Sequence, residues 1–122
     1  MKKHATVEFY DNGVNYVVYH KTAVVKYNDD KIILNSGGWE TPTTKDRMNA
    51  TAHENGLCYY VYQKDFVWYV VLDNKKCYPF EDNMQLIEKL GYSVALDKYE
   101  VLNNNNKPIK ADEKETKRYY KN

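Results

Sequence analysis

The residues best placed to do chemistry lie between positions 36 and 49. There the chain reads Ser36-Gly37-Gly38-Trp39-Glu40-Thr41-Pro42-Thr43-Thr44-Lys45-Asp46-Arg47-Met48-Asn49. Adjacent glycines permit backbone φ values closed to other residues, or the close approach of a ligand. Three threonines bring hydroxyls to an expected helix start, whose first turn presents unpaired N–H groups and a partial positive charge. Lys45 and Arg47 then place two cations in that turn. Cations at this end repel the helix dipole, and an anion such as a phosphate would neutralise them. The plainer alternative is a glycine loop, a threonine cap and two solvated cations, and both readings stand on the sequence alone. The spacing is not that of a phosphate-binding G-x-x-x-x-G-K-[ST] loop and no βαβ unit surrounds it, so nucleotide hydrolysis by that route is not expected.

Other chemistry finds little support. His4, His20 and His53 fall on a strand start, a strand end and a helix, with no H-x-x-x-H spacing to hold a metal. No G-x-S-x-G elbow occurs. Cys58 and Cys77 belong to no C-x-x-C pair and sit in apolar strand patterns, which reads as two small buried hydrophobes. The acidic pairs Asp29-Asp30 and Glu81-Asp82 fall in turns or caps, where solvated carboxylates are ordinary. The expectation is a protein that is not an enzyme, with no cofactor and no metal.

The elements around the segment read as α+β. Residues 6–10 and 16–19 flank Asp11-Asn12-Gly13 as a β-hairpin. Residues 23–27 and 31–34 continue an antiparallel meander. A helix of about three turns begins at Thr43 or Thr44, with Thr43 as N-cap and Asp46 closing a capping box. Gly56 ends it in the left-handed conformation, followed by Leu57. Met48, Ala52 and Ala50 form a thin apolar stripe, so this helix packs on the sheet. Residues 57–62 and 66–72 are strong strands joined by Gln63-Lys64-Asp65, with Phe66, Trp68, Val70 and Leu72 on one face. Residues 77–80 make a short edge strand, where Pro79 is tolerated. Asp82 or Asn83 caps a second short helix through Leu90, and residues 92–102 form another strand. The expected fold class is thus an antiparallel sheet meander with one helix of about three turns packed on it, a second short helix and a polar C-terminal tail. Residues 1–102 would be a single domain. Residues 103–122 would be a polar linker and tail, either disordered or a short charged helix anchored by Tyr119 and Tyr120.

Bulk composition narrows the partners. The 122 residues carry a formal net charge of +1, so no global field draws the chain to nucleic-acid polymers or a membrane surface. Only two arginines occur, Arg47 and Arg118, fewer than a reader of phosphates and guanine edges would carry. Thirteen tyrosines fit a β-rich fold and also supply flat contact area for ligands or partners. The hairpin over 57–72 places aromatics on both faces, so one face is core and the other an exposed surface on which an adenine ring could stack or, the favoured reading, which a second subunit would cover. No apolar run follows Met1-Lys2-Lys3-His4 as in a signal peptide, and none reaches the roughly 20 residues of a membrane span. The cytoplasm is the expected location.

Residues 37–49, 56–70 (Gly-Leu-Cys-Tyr-Tyr-Val-Tyr-Gln-Lys-Asp-Phe-Val-Trp-Tyr-Val) and 78–84 (Tyr-Pro-Phe-Glu-Asp-Asn-Met) resemble segments of small phage-encoded proteins. Over residues 5–84 the chain is similar to the Thoeris anti-defence family of phage sponges. That resemblance implies tight, non-hydrolytic binding of cyclic ADP-ribose isomers, with some members also binding cyclic oligonucleotides, by homo-oligomers that hold ligand at subunit interfaces. It makes Gly37, Gly38, Trp39, Thr43, Thr44, Lys45, Arg47 and Asn49 the candidate ligand contacts. The alternative is a protein-binding phage inhibitor of a host defence enzyme, of anti-CRISPR or anti-restriction type. A signal-degrading enzyme and a structural phage protein are further possibilities.

Overall fold

The computed structural model describes residues 6–73, 75–89 and 98–121. The fold is α+β, and the described residues form nine strands in two antiparallel sheets, a 14-residue helix and a short C-terminal helix. The chain begins with four meandering strands, β1 (Val7–Asp11), β2 (Val14–Tyr19), β3 (Thr22–Tyr27) and β4 (Lys31–Leu34). Helix α1 (Pro42–Asn55) follows, then β5 (Tyr59–Lys64), β6 (Val67–Leu72) and β7 (Cys77–Pro79). Strands β8 (Met84–Glu88) and β9 (Tyr99–Leu102) precede helix α2 (Glu113–Tyr120). The larger sheet has the order β1-β2-β3-β4-β8-β9 and the smaller β5-β6-β7.

Tight turns set the hairpin registers. Asn12-Gly13, His20-Lys21 and Asp65-Phe66 all have positive φ at both central positions, the geometry of two-residue loops that match strand twist. The third of these corrects the expected loop at residues 63–65. Gln63 and Lys64 pair with Trp68 and Val67, and Phe66 stands at the turn tip, 92% exposed, instead of sharing the core face of Trp68, Val70 and Leu72. Between β2 and β3 the register shifts at Val17/Val18, leaving Val24 as an extra residue; Val24 and Val25 are both buried. Such a bulge lets consecutive side chains turn to one core.

Helix α1 starts two residues earlier than the spacing of Thr43 and Asp46 suggests. Pro42 occupies the first turn, where its fixed φ suits a helix and its missing N–H costs nothing. Thr41, with extended φ −115° and ψ 161°, is the N-cap, and its Oγ1 accepts from the Thr44 N–H at 3.2 Å. Thr43 and Asp46 are both exposed and the expected capping box is not the start signal. The stop is as expected: Gly56 has φ +65°, and the Leu57 N–H reaches the Ala52 carbonyl at 2.9 Å. The buried stripe is Thr44, Met48, Thr51 and Ala52, while Ala50 is exposed. One core joins this stripe to Val25, Leu34, Val61, Val70, Leu72 and Leu86 from both sheets, and Ile109 belongs to it as well.

The helix expected over residues 82–90 is strand β8, in the interior of the larger sheet between β4 and β9. Asp82 does not cap: its Oδ1 accepts from both the Ser36 N–H and hydroxyl at 2.7 Å. Asn83 has φ +66° and turns the chain into the sheet. Met84, Gln85 and Leu86 are consecutively buried, and a strand buried on both faces shows no alternation by which to distinguish it from a helix. The buried Gln85 amide is satisfied by the Asn103 carbonyl and Asn106 Oδ1, at 3.0 and 2.7 Å. Of the strand expected over 92–102, residues 99–102 are β9, and 90–97 lie outside the described residues.

Helix α2 packs against β7 and carries a buried carboxylate. Asp112 is its N-cap. Glu115 accepts from Tyr62 Oη at 2.5 Å and from Arg118 Nε and Nη2 at 2.9 and 2.6 Å. Tyr119 lies against Tyr62, with ring centroids 4.9 Å apart.

Candidate functional site

A cavity of about 370 Å³ opens where the β2–β3 turn, the Gly37-Gly38 loop and the start of α1 meet. Tyr19, His20, Thr22, Ser36, Trp39 and Thr44 line it. This volume falls in the range of small-molecule sites. The walls combine aromatic rings with hydroxyls, and Trp39 stands at the mouth, 67% exposed.

The loop holding Trp39 is built from internal hydrogen bonds. Asn35 Oδ1 accepts from the Gly37 N–H, and Ser36 Oγ accepts from the Gly38 N–H at 3.1 Å. Ser36 is anchored in turn by Asp82, so that carboxylate is spent on holding the loop. The Gly37 and Gly38 φ values are +67° and +84°. Gly37 is also packed: a Cβ there would lie 2.3 Å from Thr22 Oγ1, whereas one on Gly38 would meet nothing within 4 Å. Burial, reinforced by the Asp82 charge, raises the Glu40 carboxyl above its usual pKa.

The two expected cations flank the cavity differently. The Arg47 guanidinium lies 5.2 Å from the centroid of the Tyr19 ring, which forms a cavity wall. Lys45 Nζ is 5.9 Å from the Trp68 ring centroid. With α1 starting at Pro42, Lys45 alone falls in the first turn that disfavours a cation, and Arg47, the sixth helical residue, falls in the second; an aromatic face lies against each.

Of the eight candidate residues, Trp39 and Thr44 line the cavity, Gly37 and Gly38 shape its loop, and Arg47 stands at its Tyr19 wall. Thr43 is exposed on the first turn of α1. Asn49 is engaged elsewhere: its Nδ2 donates to the Val61 carbonyl and its Oδ1 accepts from the Val61 N–H, both at 2.8 Å. Sequence reading missed Tyr19, His20, Thr22 and Ser36 as wall residues. The signal available was the His20-Lys21 turn, which holds φ +52° and +66° without a glycine or asparagine.

The cysteines are held as thiols by their surroundings. Burial pushes the Cys58 thiol up to about 11, with the nearby Asp73 and Glu88 charges adding to it. Burial likewise raises Cys77. Among the described residues no three His, Cys, Asp or Glu side chains gather where they could hold a metal, and no helix is long and apolar enough to cross a membrane.

The family model described as Kyanoviridae Gp96 protein matches residues 1–95. The chain belongs to this phage family. The matched span includes β1 to β8 and every residue lining the cavity, and it ends before β9 and α2. No curated protein and no solved structure matches the chain.

Proposed function

We propose that this phage protein binds a small cyclic nucleotide signal, of the cyclic ADP-ribose isomer class, and sequesters it from a host defence system without hydrolysing it. The observation that carries the reading is the 370 Å³ cavity, which gathers Trp39 and Thr44 of the sequence motif with Tyr19, His20, Thr22 and Ser36. Trp39 and Tyr19 offer ring faces for a base, and the hydroxyls offer partners for ribose and phosphate oxygens. Arg47, over the Tyr19 ring, supplies the charge that a pyrophosphate needs. Sequestration calls for affinity without turnover, so it makes no demand for a nucleophile or general base.

The test is native mass spectrometry of the full chain with a panel of cyclic ADP-ribose isomers and cyclic di- and trinucleotides, followed by heat release. Intact ligand should be recovered, and binding should weaken with added salt. Trp39→Ala and Arg47→Ala should each lower affinity at least tenfold. No binding across the panel, or recovery of a cleaved product, overturns the proposal.

A second reading, a protein-binding inhibitor of a host defence enzyme, is favoured by Phe66. An aromatic side chain 92% exposed at φ +67° bears both a solvation and a backbone cost. Stoichiometric capture of one host protein, lost on Phe66→Asn, would support this reading over the first.

A further inference from the structure

Among the described residues four strand edges bound the two sheets, and the chain protects three of them. On β5, the Val61 N–H and C=O point away from β6, and the Asn49 amide takes both. On β7, Pro79 removes a donor, Thr116 Oγ1 accepts from the Cys77 N–H at 2.9 Å, and the Asp112 N–H donates to the Cys77 carbonyl at 2.8 Å. On β9, the Ile109 N–H donates to the Val101 carbonyl at 2.9 Å, and Pro108 bridges Leu102.

Strand β1 is the exception. All five of its residues are exposed, and among the described residues nothing covers its outer edge. Its sequence, Val-Glu-Phe-Tyr-Asp, has strong strand formers and none of the lysine, proline or bulge devices that keep an edge from pairing. The register fixes what the edge offers. Asp11 and Val14 close the two-residue turn, so Asp11, Phe9 and Val7 exchange their backbone hydrogen bonds with β2. The N–H and C=O groups of Glu8 and Tyr10 therefore point outward.

We propose that β1 pairs antiparallel with β1 of a second copy of this chain, joining two six-stranded sheets across a two-fold axis at Phe9. In that register Glu8 faces the second copy's Tyr10, and the reciprocal pair completes four backbone hydrogen bonds. Phe9 faces its own copy at a close, non-hydrogen-bonded position. Phe9 already stacks on Tyr16 with centroids 4.8 Å apart, so the pairing extends an aromatic row across the axis. The charge pattern disfavours the register centred on Glu8, which would set two carboxylates face to face, whereas here Glu8 meets Tyr10 and Asp11 meets Val7. An edge of five residues buries little area, below the roughly 1,200 Å² of standard interfaces, so the dimer is of the weak class.

The experiment is sedimentation equilibrium of the full chain across the micromolar range, with Tyr10→Pro as the blocking variant. Proline removes the outward Tyr10 N–H but no bond to β2, so the fold survives while the dissociation constant rises at least tenfold. Phe9→Cys should cross-link to itself under mild oxidation, and Val7→Cys, which faces Asp11, should not. A wild-type chain that stays monomeric overturns the proposal and leaves the edge for another protein's strand. A folded Tyr10→Pro variant that dimerises like wild type also overturns it. Should Tyr10→Pro fail to fold, the absence of the Phe9→Cys cross-link decides against the pairing.

Discussion

Replacing Gly37 by alanine should cost far more stability than the same change at Gly38, and the difference can be worked from geometry. Both glycines have positive φ, which costs an alanine about 1–2 kcal/mol. Gly38→Ala bears that cost alone, because its Cβ would enter open space. Gly37→Ala adds a collision with Thr22, whose Oγ1, Cγ2 and Cβ would lie 2.3, 2.9 and 3.0 Å from the new atom. Three atoms of one β-branched side chain cannot all be rotated away, and Thr22 is the first residue of β3, so the backbone yields little. Overpacking of this kind costs about 1–3 kcal/mol, giving a total of about 2–5 kcal/mol for Gly37→Ala. At about 3–5 °C per kcal/mol for a chain of this length, the two variants should melt at clearly separated temperatures. Circular dichroism melts of both, in wild-type and Thr22→Ala backgrounds, provide the assay. Thr22→Ala removes Oγ1 and Cγ2, so the cost of Gly37→Ala should fall toward that of Gly38→Ala. Equal costs for the two glycines in the wild-type background, or no recovery in the second, would refute the close packing of this loop on β3.

Acid should release α2 before the core unfolds. The Glu115 carboxyl is lowered from 4.5 to about 2, chiefly by its hydrogen bonds to Arg118, with Tyr62 adding to them against the opposing effect of burial. A carboxylate whose folded pKa is depressed stabilises fully above its unfolded pKa and loses that contribution as pH falls through the folded value. The Tyr62–Tyr119 contact, followed by tyrosine near-ultraviolet dichroism, should therefore weaken between pH 4.5 and about 2. In Glu115→Gln that pH dependence should vanish, with the chain about 1–3 kcal/mol less stable at neutral pH. Asn49→Ala should cost about 1–3 kcal/mol and speed hydrogen exchange at the Val61 amide, since both Val61 backbone groups lose their partner. If the Asn49 amide serves only β5, ligand affinity per folded molecule should not change.

How much of this was legible in the sequence follows from what each residue's neighbours decide. The meander β1–β4 was readable because strand alternation and the Asn12-Gly13 turn agree with each other. The stop of α1 was readable because Gly56 has one common use at that spacing. Its start is displaced because Thr43 with Asp46 has the spacing of a capping box, whereas Pro42, which fixes the start by following the Thr41 cap, acts through φ rather than through a hydrogen bond. The β5–β6 turn was misplaced because Phe66 looks like a strand residue; only the tight pairing of Lys64 with Val67 forces it to the tip. Strand β8 has the sequence look of a helix because Asp82 and Asn83 resemble caps, yet one serves Ser36, 46 residues upstream, and the other supplies a left-handed turn.

The same distinction runs through the candidate site. Trp39 and Thr44 belong to a contiguous segment and could be named from it, but the opposite wall comes from Tyr19, His20 and Thr22 in a hairpin turn. That turn meets the loop where Gly37 packs on Thr22. Asn49 shows the converse. Its place in the motif marks it as a ligand contact, but its amide meets the demand of an otherwise open strand edge. Long-range hydrogen bonds decide which polar residues of the motif are structural and which face the cavity. For that reason the Asn49 and Gly37 variants, read beside Trp39→Ala and Arg47→Ala, separate the residues that build the site from those proposed to hold its ligand.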